Sequence, residues 1–257
     1  MELKCISFNI RCCDDDNGNS VAERAPRLAA IMPLYDADVI GFQEYRPTTW
    51  GIPIQKDYGE QYDMFNKYRN QTIPDELEST PILWKKDKFE CLKTGYFWLS
   101  DTPEIESRGW DELFNCYRIC IYVILKEKET GCCFTVINTH FGFGDMGQVK
   151  SAKLISEYAK RISDYPTIIL GDFNMTPDSL GYQEMCRHFT DVNAATSNDF
   201  GVTFHGYDPE WEEASHIDYC FVNEKVIAKR QDIMRETIEG KYPSDHYGLY
   251  VEVDVLK

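Results

Sequence analysis

The chain has 257 residues, of which 43% are hydrophobic, and this length and composition exclude an intrinsically disordered protein. The formal net charge of −16 leaves no general basic surface for nucleic acid, although it does not exclude a local positive site built on a bound cation. No stretch approaches the roughly 20 apolar residues that cross a bilayer, and the first residues lack a signal-peptide pattern, so we expect a cytoplasmic monomer.

The first half of the chain alternates predicted strands and helices. LKCISFNI alternates as a strand does, residues 23–35 place Leu28 and Ile31 on one helical face, and ADVIGFQE is a buried strand that ends in polar groups. Residues 46–71 are rich in turn residues and aromatics and are predicted to form a surface loop near the strand ends. PILWKKDKFECLKTGYFWLS is predicted to form two strands around a Lys-Asp-Lys turn.

The second half continues the pattern with a hairpin, a helix and further strands. YRICIYVILKEKETGCCFTVINTH is predicted to be a hairpin, SAKLISEYAKRI an amphipathic helix, and PTIILGDFN, HIDYCFVN and HYGLYVEVDV strands. Hairpins mixed with strand–helix–strand units indicate an α/β fold, with two mixed sheets packed face to face and helices outside. No linker divides the sequence, so we expect a single domain over residues 1–257.

The ten cysteines are predicted to be reduced thiols. None forms a CxxC motif, and Cys5, Cys120 and Cys220 lie among apolar residues, where a thiol acts as a small hydrophobe. This usage favours a reducing compartment over a disulfide framework or a zinc site.

Polar side chains stand where the predicted buried strands end. They are Asn9, Glu44, Asn138, His140, Asp172, Asn174, Asp218, Asp245 and His246. If neighbouring strands end together, these groups converge on one rim of the sandwich. Carboxylates held close together and partly out of water raise one another's proton affinity, and a divalent cation removes that cost. Glu, Asp and Asn oxygens are the hard ligands that Mg²⁺, Mn²⁺ or Ca²⁺ prefer.

The segment IILGDFN shows how one such strand end is expected to work. Asp172 and Asn174 are two residues apart, so on a strand both side chains point to the same side while Phe173 points into the packing. The two polar groups are therefore expected to reach one ligand together.

The ordered motifs SFNIR, FQE, NTH, GDFN, IDY and SDH resemble those of the endonuclease/exonuclease/phosphatase superfamily, from about the second residue to nearly the last. That superfamily contains DNase I-like nucleases, abasic-site endonucleases, deadenylases, inositol polyphosphate phosphatases and neutral sphingomyelinases. FWLSDTPE and GW in mid-chain are similar to bacterial members. The resemblance implies a four-layer α/β sandwich.

Carried over by motif, the resemblance implies that Glu44 is the principal metal ligand. Asn9 and Asp245 would then lie near the same Mg²⁺ or Mn²⁺, directly or through water. His140 and Asn138 would hydrogen-bond phosphate oxygens.

The resemblance also implies the proton-transfer groups. Asp218 would orient His246, which would bind the scissile phosphate or act as general base. Asp172 would orient or deprotonate the attacking water, and Asn174 would steady the phosphate. The sequence leaves open whether Asp172 or His246 is the base.

Three other features have alternative interpretations. Arg118 lies where related bacterial sequences carry an arginine, and it either contacts phosphate or forms a surface ion pair. Trp50 and Trp110, in predicted loops, either line the substrate or pack. After His140 the glycine-rich run GFGDMGQVKSA lacks the Arg or His of many relatives, so the resemblance does not transfer a substrate preference.

The predicted function is metal-dependent hydrolysis of a phosphodiester or phosphomonoester by in-line attack of water. The acidic composition favours a small-molecule, lipid-derived or nucleotide phosphoester. An endonuclease or exonuclease acting on DNA or RNA is the alternative enzyme. A non-catalytic binding protein with a vestigial site is the alternative of another class, and the intact motifs argue against it.

Overall fold

The computed structural model describes residues 1–72, 77–196 and 201–256, and the strands in this part of the chain form two six-stranded sheets. In spatial order the first sheet contains β11 (Val226–Met234), β12 (Gly248–Val255), β1 (Glu2–Asn9), β2 (Val39–Gln43), β4 (Ile82–Lys85) and β3 (Tyr62–Phe65). In the same order the second sheet contains β5 (Phe89–Trp98), β6 (Ile119–Glu127), β7 (Cys133–His140), β8 (Thr167–Asp172), β10 (Asp218–Val222) and β9 (Thr190–Asp191).

Helices lie on both sides of the paired sheets. They are α1 (Val21–Ile31), α2 (Pro47–Tyr58), α3 (Asp145–Ile162), α4 (Leu180–Cys186) and α5 (Val192–Thr196). Ser20 and Glu23 form a capping box at the start of α1, as their spacing favours. Within the described ranges, no helix combines the length and the apolar character that crossing a membrane requires.

Three apolar clusters hold the layers together. The largest contains residues of both sheets, including Val39 and Val251 from the first and Val136 and Leu170 from the second, and so forms the core between them. A second cluster joins α1 and α2 to the first sheet, and a third joins α3 to the second sheet. The predicted α/β sandwich of two mixed sheets with helices outside is therefore confirmed.

The prediction of a surface loop over residues 46–71 is wrong. The segment contains α2 and β3, and Trp50, Ile54 and Tyr58 recur every four residues and are buried on one helical face. Proline is common in turns but is also favoured in the first helical turn, and Pro47 begins α2. Trp50 is fully buried and does not line a substrate site. The glycine-rich run after His140 is likewise mostly helical, because α3 already begins at Asp145.

Strand direction brings the polar strand ends to one edge of each sheet. In the first sheet β1 and β2 are parallel, and β12 runs antiparallel to β1. The ends of β1 and β2 therefore lie beside the start of β12. In the second sheet β7 and β8 are parallel and β10 is antiparallel to β8, so that the ends of β7 and β8 lie beside the start of β10.

Candidate active site

The register of the second sheet aligns three of the predicted site residues. His140 at the end of β7 is the cross-strand partner of Asp172 at the end of β8, and Asp218 at the start of β10 is the partner of Asp172 on its other side. One row across three neighbouring strands thus carries two carboxylates and an imidazole, all buried.

The first sheet supplies Asn9, which joins the two sheets at this edge. Its Nδ2 donates to Asp172 Oδ2 at 2.9 Å and to Glu44 Oε1 at 3.1 Å. Its Oδ1 accepts from the main-chain N of Arg11 at 3.0 Å. Asn9 therefore presents its donor atom to the carboxylates. In this arrangement Asn9 fixes Glu44, and its approach to a cation, directly or through water, stays a prediction.

Glu44 follows β2 in a conformation that side chains rarely adopt. Its φ is +59°, in the left-handed region, and such strain persists where surrounding contacts hold the residue. The contacts are the amide of Asn9 and the N–H of Cys12, which donates to Glu44 Oε2 at 3.0 Å. Burial opposes ionisation of Glu44, but His140, the N–H of Cys12 and the Arg11 guanidinium hold its pKa well below the usual range.

A carboxylate–imidazole pair lies beside Asp172. His246 Nδ1 is 2.9 Å from Asp218 Oδ2, and the other ring nitrogen of His246 is 3.8 Å from Asp172 Oδ2. His140 Nε2 lies 3.4 Å from the same Asp172 oxygen. Asp172 thus stands between two imidazoles, one of which is held by its own carboxylate.

The electrostatics of these groups differ. Burial raises the pKa of Asp172 to about 7, and the nearby Asp218 carboxylate adds to the shift. Burial opposes protonation of His246, but Asp218, with Asp172 and Asp245, raises the pKa of His246 to about 10. Burial and the charge of Arg118 hold the pKa of His140 well below its usual range. The carboxylate neighbours of His246 thus favour its protonated form, whereas burial favours the neutral form of His140.

Asn174 shares the site with Asp172, but the two residues do not lie on one strand as predicted. The strand ends at Asp172, and Asn174 has a φ of +47°. Its main-chain N donates to Asp172 Oδ1 at 3.0 Å, and its Nδ2 donates to the Phe141 carbonyl at 2.9 Å. Phe173 between them is fully buried among aromatic rings, as the alternation predicted.

Asn138 is placed differently from its predicted role. It is fully buried, and its Nδ2 lies 2.8–3.1 Å from three main-chain carbonyl oxygens, those of Phe42, Thr80 and Pro81. Its Oδ1 accepts from Gln43 Nε2 at 2.8 Å. The side chain thus joins the two sheets and is committed to main-chain partners, so the predicted phosphate contact is withdrawn.

Arg118 was predicted either to contact phosphate or to form a surface ion pair. It lines the site and forms an ion pair, but that pair is buried. Its Nε and Nη2 lie 3.1 and 3.0 Å from Asp111 Oδ2. The Arg118 side chain is 6% exposed, so this is no surface pair. Trp110, also proposed as a lining residue, is half-buried and outside the cavity lining.

One cavity of about 560 Å³ opens among these groups. Its lining contains most of the predicted site, namely Glu44, Arg118, His140, Asp172, Asn174, Asp245 and His246. It also contains groups that the sequence did not identify, namely Arg11, Arg69, Phe114, Phe143, Thr176, Phe204, Glu213, Ser215 and Ile217. Arg11 is part of the motif SFNIR, so the sequence could have identified it. Arg69 and the phenylalanines lie outside every motif.

Glu78, which also lines the cavity, is the centre of a charged group at its edge. Glu78 Oε1 is 2.5 Å from Arg69 Nη1, and Oε2 is 3.6 Å from Arg46 Nη2. Its Oε1 is also 3.9 Å from His140 Nδ1. This carboxylate therefore fixes Arg69 against the site.

The donor set fits a hard divalent cation. Burial raises the pKa of both Asp172 and Asp245 because it disfavours the charged carboxylate, and a divalent cation beside them would offset that cost. Ligand atoms of Asp172, Asp218 and His246 also lie within 4.8 Å of one another. Asp218 already holds Nδ1 of His246, and the oxygens of Glu44 and Asp245 are harder ligands that suit Mg²⁺ or Mn²⁺ better.

A model of the Endonuclease/Exonuclease/phosphatase family matches residues 6–246. The chain belongs to this family. Family members are hydrolases that act on phosphoesters and generally require divalent metal. The motif resemblance is confirmed.

Solved structures of this family are similar over nearly the whole chain. The endonuclease/exonuclease/phosphatase from Bacteroides vulgatus is 28% identical, with a TM-score of 0.89 and coverage of 99% of both chains. The mannosyl-6-phosphatase of Bacteroides thetaiotaomicron is 29% identical, with a TM-score of 0.85 and coverage of 98% of this chain and 99% of that one. D. rerio TDP2, solved with a single-strand DNA product, is 17% identical, with a TM-score of 0.77 and 99% of both chains covered, and shares the fold.

Proposed function

We propose that residues 1–257 act as one catalytic domain that hydrolyses a small phosphodiester or phosphomonoester with the help of Mg²⁺ or Mn²⁺. The observation that carries this proposal is the assembly, in one cavity, of Glu44 and Asp245 with Asp172 and His246, the last held by Asp218. The family match supports hydrolysis of a phosphoester.

The side chains have separate roles in this proposal. Asp218 holds Nδ1 of His246, which leaves the other ring nitrogen of His246 free to donate to a phosphate oxygen. Asp172 accepts the proton of the attacking water, and its own position is set by Asn9 and the main chain of Asn174. The water oxygen forms the new bond to phosphorus, the bond to the leaving oxygen breaks, and that oxygen takes a proton from solvent.

Glu44 and Asp245 would hold the cation, with Asn9 fixing Glu44. When bound, such a cation neutralises charge on the phosphate and leaving oxygens. His140 and Asn174 are proposed to complete the phosphate site. Arg118 lies at the same cavity and adds positive charge there, although Asp111 offsets part of it.

Two relatives point to different substrates. The mannosyl-6-phosphatase is 29% identical and favours a sugar phosphate monoester as the second candidate. TDP2 was solved with a DNA product, and a nuclease remains the alternative activity, although at 17% identity the likeness extends to the fold alone. A cavity of about 560 Å³ in a chain of net charge −16 supports a small substrate over a polynucleotide.

The test is hydrolysis of p-nitrophenyl phosphate and bis-p-nitrophenyl phosphate with Mg²⁺, with Mn²⁺ and with a chelator. We expect turnover only with metal, and a loss of at least about 10²-fold in Asp172→Asn. Asp178→Asn, at an exposed carboxylate of the loop that follows Asp172, is the matched control and should retain activity. Turnover that survives the chelator, or an unaffected Asp172→Asn, contradicts the proposal. If plasmid DNA or oligonucleotides are cleaved faster than either ester, the protein is a nuclease instead.

A further inference from the structure

The cavity lining contains an aromatic surface next to the phosphate-facing groups. Phe114 and Phe143 pack edge to face, with ring centroids 5.4 Å apart, and both line the cavity. Phe114 is 60% exposed. An exposed aromatic ring at the mouth of a concave site is typical of a surface that binds an apolar group.

The main chain around Phe114 is held in place, so the ring is not simply on a loose loop. Asp111 Oδ1 accepts from the main-chain N of Leu113 at 3.1 Å and of Phe114 at 2.9 Å, while Oδ2 of the same carboxylate binds Arg118. The N–H of Glu112 donates to the Phe143 carbonyl at 2.9 Å, which ties the two aromatic segments together. Preorganisation of this kind lowers the entropic cost of binding.

The strand order places this aromatic pair on one flank of the catalytic row. Phe114 precedes β6 and Phe143 follows β7, whereas Asp172 and Asp218 lie on β8 and β10, further along the sheet. A phosphate bound at Asp172 therefore has the pair on its β6–β7 side, where the rest of the ester would lie.

The cavity has charged groups that bear on whether its substrate carries a second phosphate. Its three arginines each have a carboxylate partner among the described residues: Arg11 pairs with Asp15, Arg69 with Glu78, and Arg118 with Asp111. The lining also carries Glu213, an exposed carboxylate. A second phosphate would therefore have to compete with Asp15, Glu78 or Asp111 for a lining arginine, and Glu213 would repel it.

We infer that the substrate is a phosphoester of an uncharged group with a flat apolar face, which lies against Phe114 and Phe143, and that esters carrying a second phosphate are rejected. A sugar ring, whose C–H groups form such a face, and an aryl or nucleobase ring both have this chemistry. This inference rests on the proposed phosphoesterase activity.

The experiment compares matched esters on the wild-type protein with Mg²⁺ and with Mn²⁺. A hexose monophosphate is compared with a hexose bisphosphate, adenosine monophosphate with adenosine bisphosphate, and benzyl phosphate reports on the aryl ring. Each is also supplied as its methyl diester. We expect kcat/KM for the singly phosphorylated member of each pair to be at least about 10-fold higher, and the sugar, nucleoside and benzyl esters show which ring is preferred.

Three variants assign the effect to residues. Phe114→Ala and Phe143→Ala should each raise KM about 5- to 10-fold with little change in kcat, the scale of one ring contact. Leu113→Ala is the matched control, since Leu113 is 65% exposed beside Phe114 and outside the cavity lining. Glu213→Gln should reduce the difference in kcat/KM between the monophosphate and the bisphosphate.

The outcomes separate this inference from the activity on which it rests. Bisphosphates hydrolysed as well as monophosphates, or phenylalanine variants with unchanged KM, overturn the inference and leave the phosphoesterase activity standing. Absence of turnover on every ester in the presence of metal overturns both.

Discussion

Replacing Arg24 tests how the active-site edge is built, because this arginine is fully buried and binds main-chain atoms. Its Nε donates to the Asn19 carbonyl at 2.8 Å and its Nη1 to the Ile10 carbonyl at 2.6 Å, both out of solvent. Its Nη2 donates to the carbonyls of Arg11 and Cys13, where solvent has partial access. In the described part of the chain, all its hydrogen bonds go to main-chain oxygens.

Arg24→Met keeps most of the volume and removes all four hydrogen bonds. The two fully buried bonds involve a charged donor and are each worth about 1.5–3 kcal/mol, so their loss gives about 3–6 kcal/mol. The two carbonyls nearer solvent can rebind water and add little. A loss of this size is a large part of the roughly 5–15 kcal/mol that stabilises a typical domain.

The assay is urea unfolding, in which the free energy of unfolding is extrapolated to water for wild type, Arg24→Met and a control. Arg161→Met is the control, because the Arg161 side chain is 66% exposed on α3 and its loss should cost no more than about 0.5 kcal/mol. A free energy of unfolding for Arg24→Met within about 1 kcal/mol of wild type refutes the reasoning, since it would mean that residues 10–13 keep their conformation without the guanidinium.

Three further changes have effects of different kinds. Asp218→Asn should lower kcat by at least about 10²-fold without unfolding the protein, because it weakens the hold on His246; kcat compared with the melting temperature checks this. Thr49→Val removes the hydroxyl that donates to the Cys12 carbonyl at 3.1 Å, and the N–H of Cys12 holds the proposed cation ligand Glu44. The change should therefore weaken Mn²⁺ binding about 10-fold, as measured by calorimetry, whereas Thr48→Val, at an exposed side chain, should not. Asn138→Leu should lower the free energy of unfolding by about 2–4 kcal/mol, because main-chain carbonyls lose their donor, and urea unfolding measures it.

The positions of His140 and Asp172 at the ends of neighbouring strands could be predicted from the sequence, because they depend only on where the buried strands end. Buried apolar runs end in polar residues, and neighbouring parallel strands end at one edge. The pairing of Asp218 with His246 needed more than periodicity, since Asp218 begins β10 of the second sheet and His246 precedes β12 of the first. The motif resemblance supplied that link.

The cavity walls were beyond sequence reasoning because they depend on the paths of loops. Arg69 follows β3, and its main-chain N donates to the Glu78 carbonyl, which brings the two side chains together. Phe114 reaches the cavity because Asp111 holds its main chain, and no periodic pattern marks either residue. The specificity of the site is therefore less predictable than its chemistry.

Asn9 shows the same limit within a motif. An asparagine side chain offers both an oxygen ligand and an N–H donor, and the residue type does not decide which atom faces the carboxylates. Here the main-chain N of Arg11 takes the oxygen, which turns Nδ2 toward Glu44 and Asp172. The position of Arg11 N depends in turn on Arg24, which binds the carbonyls of Ile10 and Arg11. The buried Arg24 thus helps to set the position of the Glu44 side chain, which would bind the cation. This dependence arises only in the folded chain.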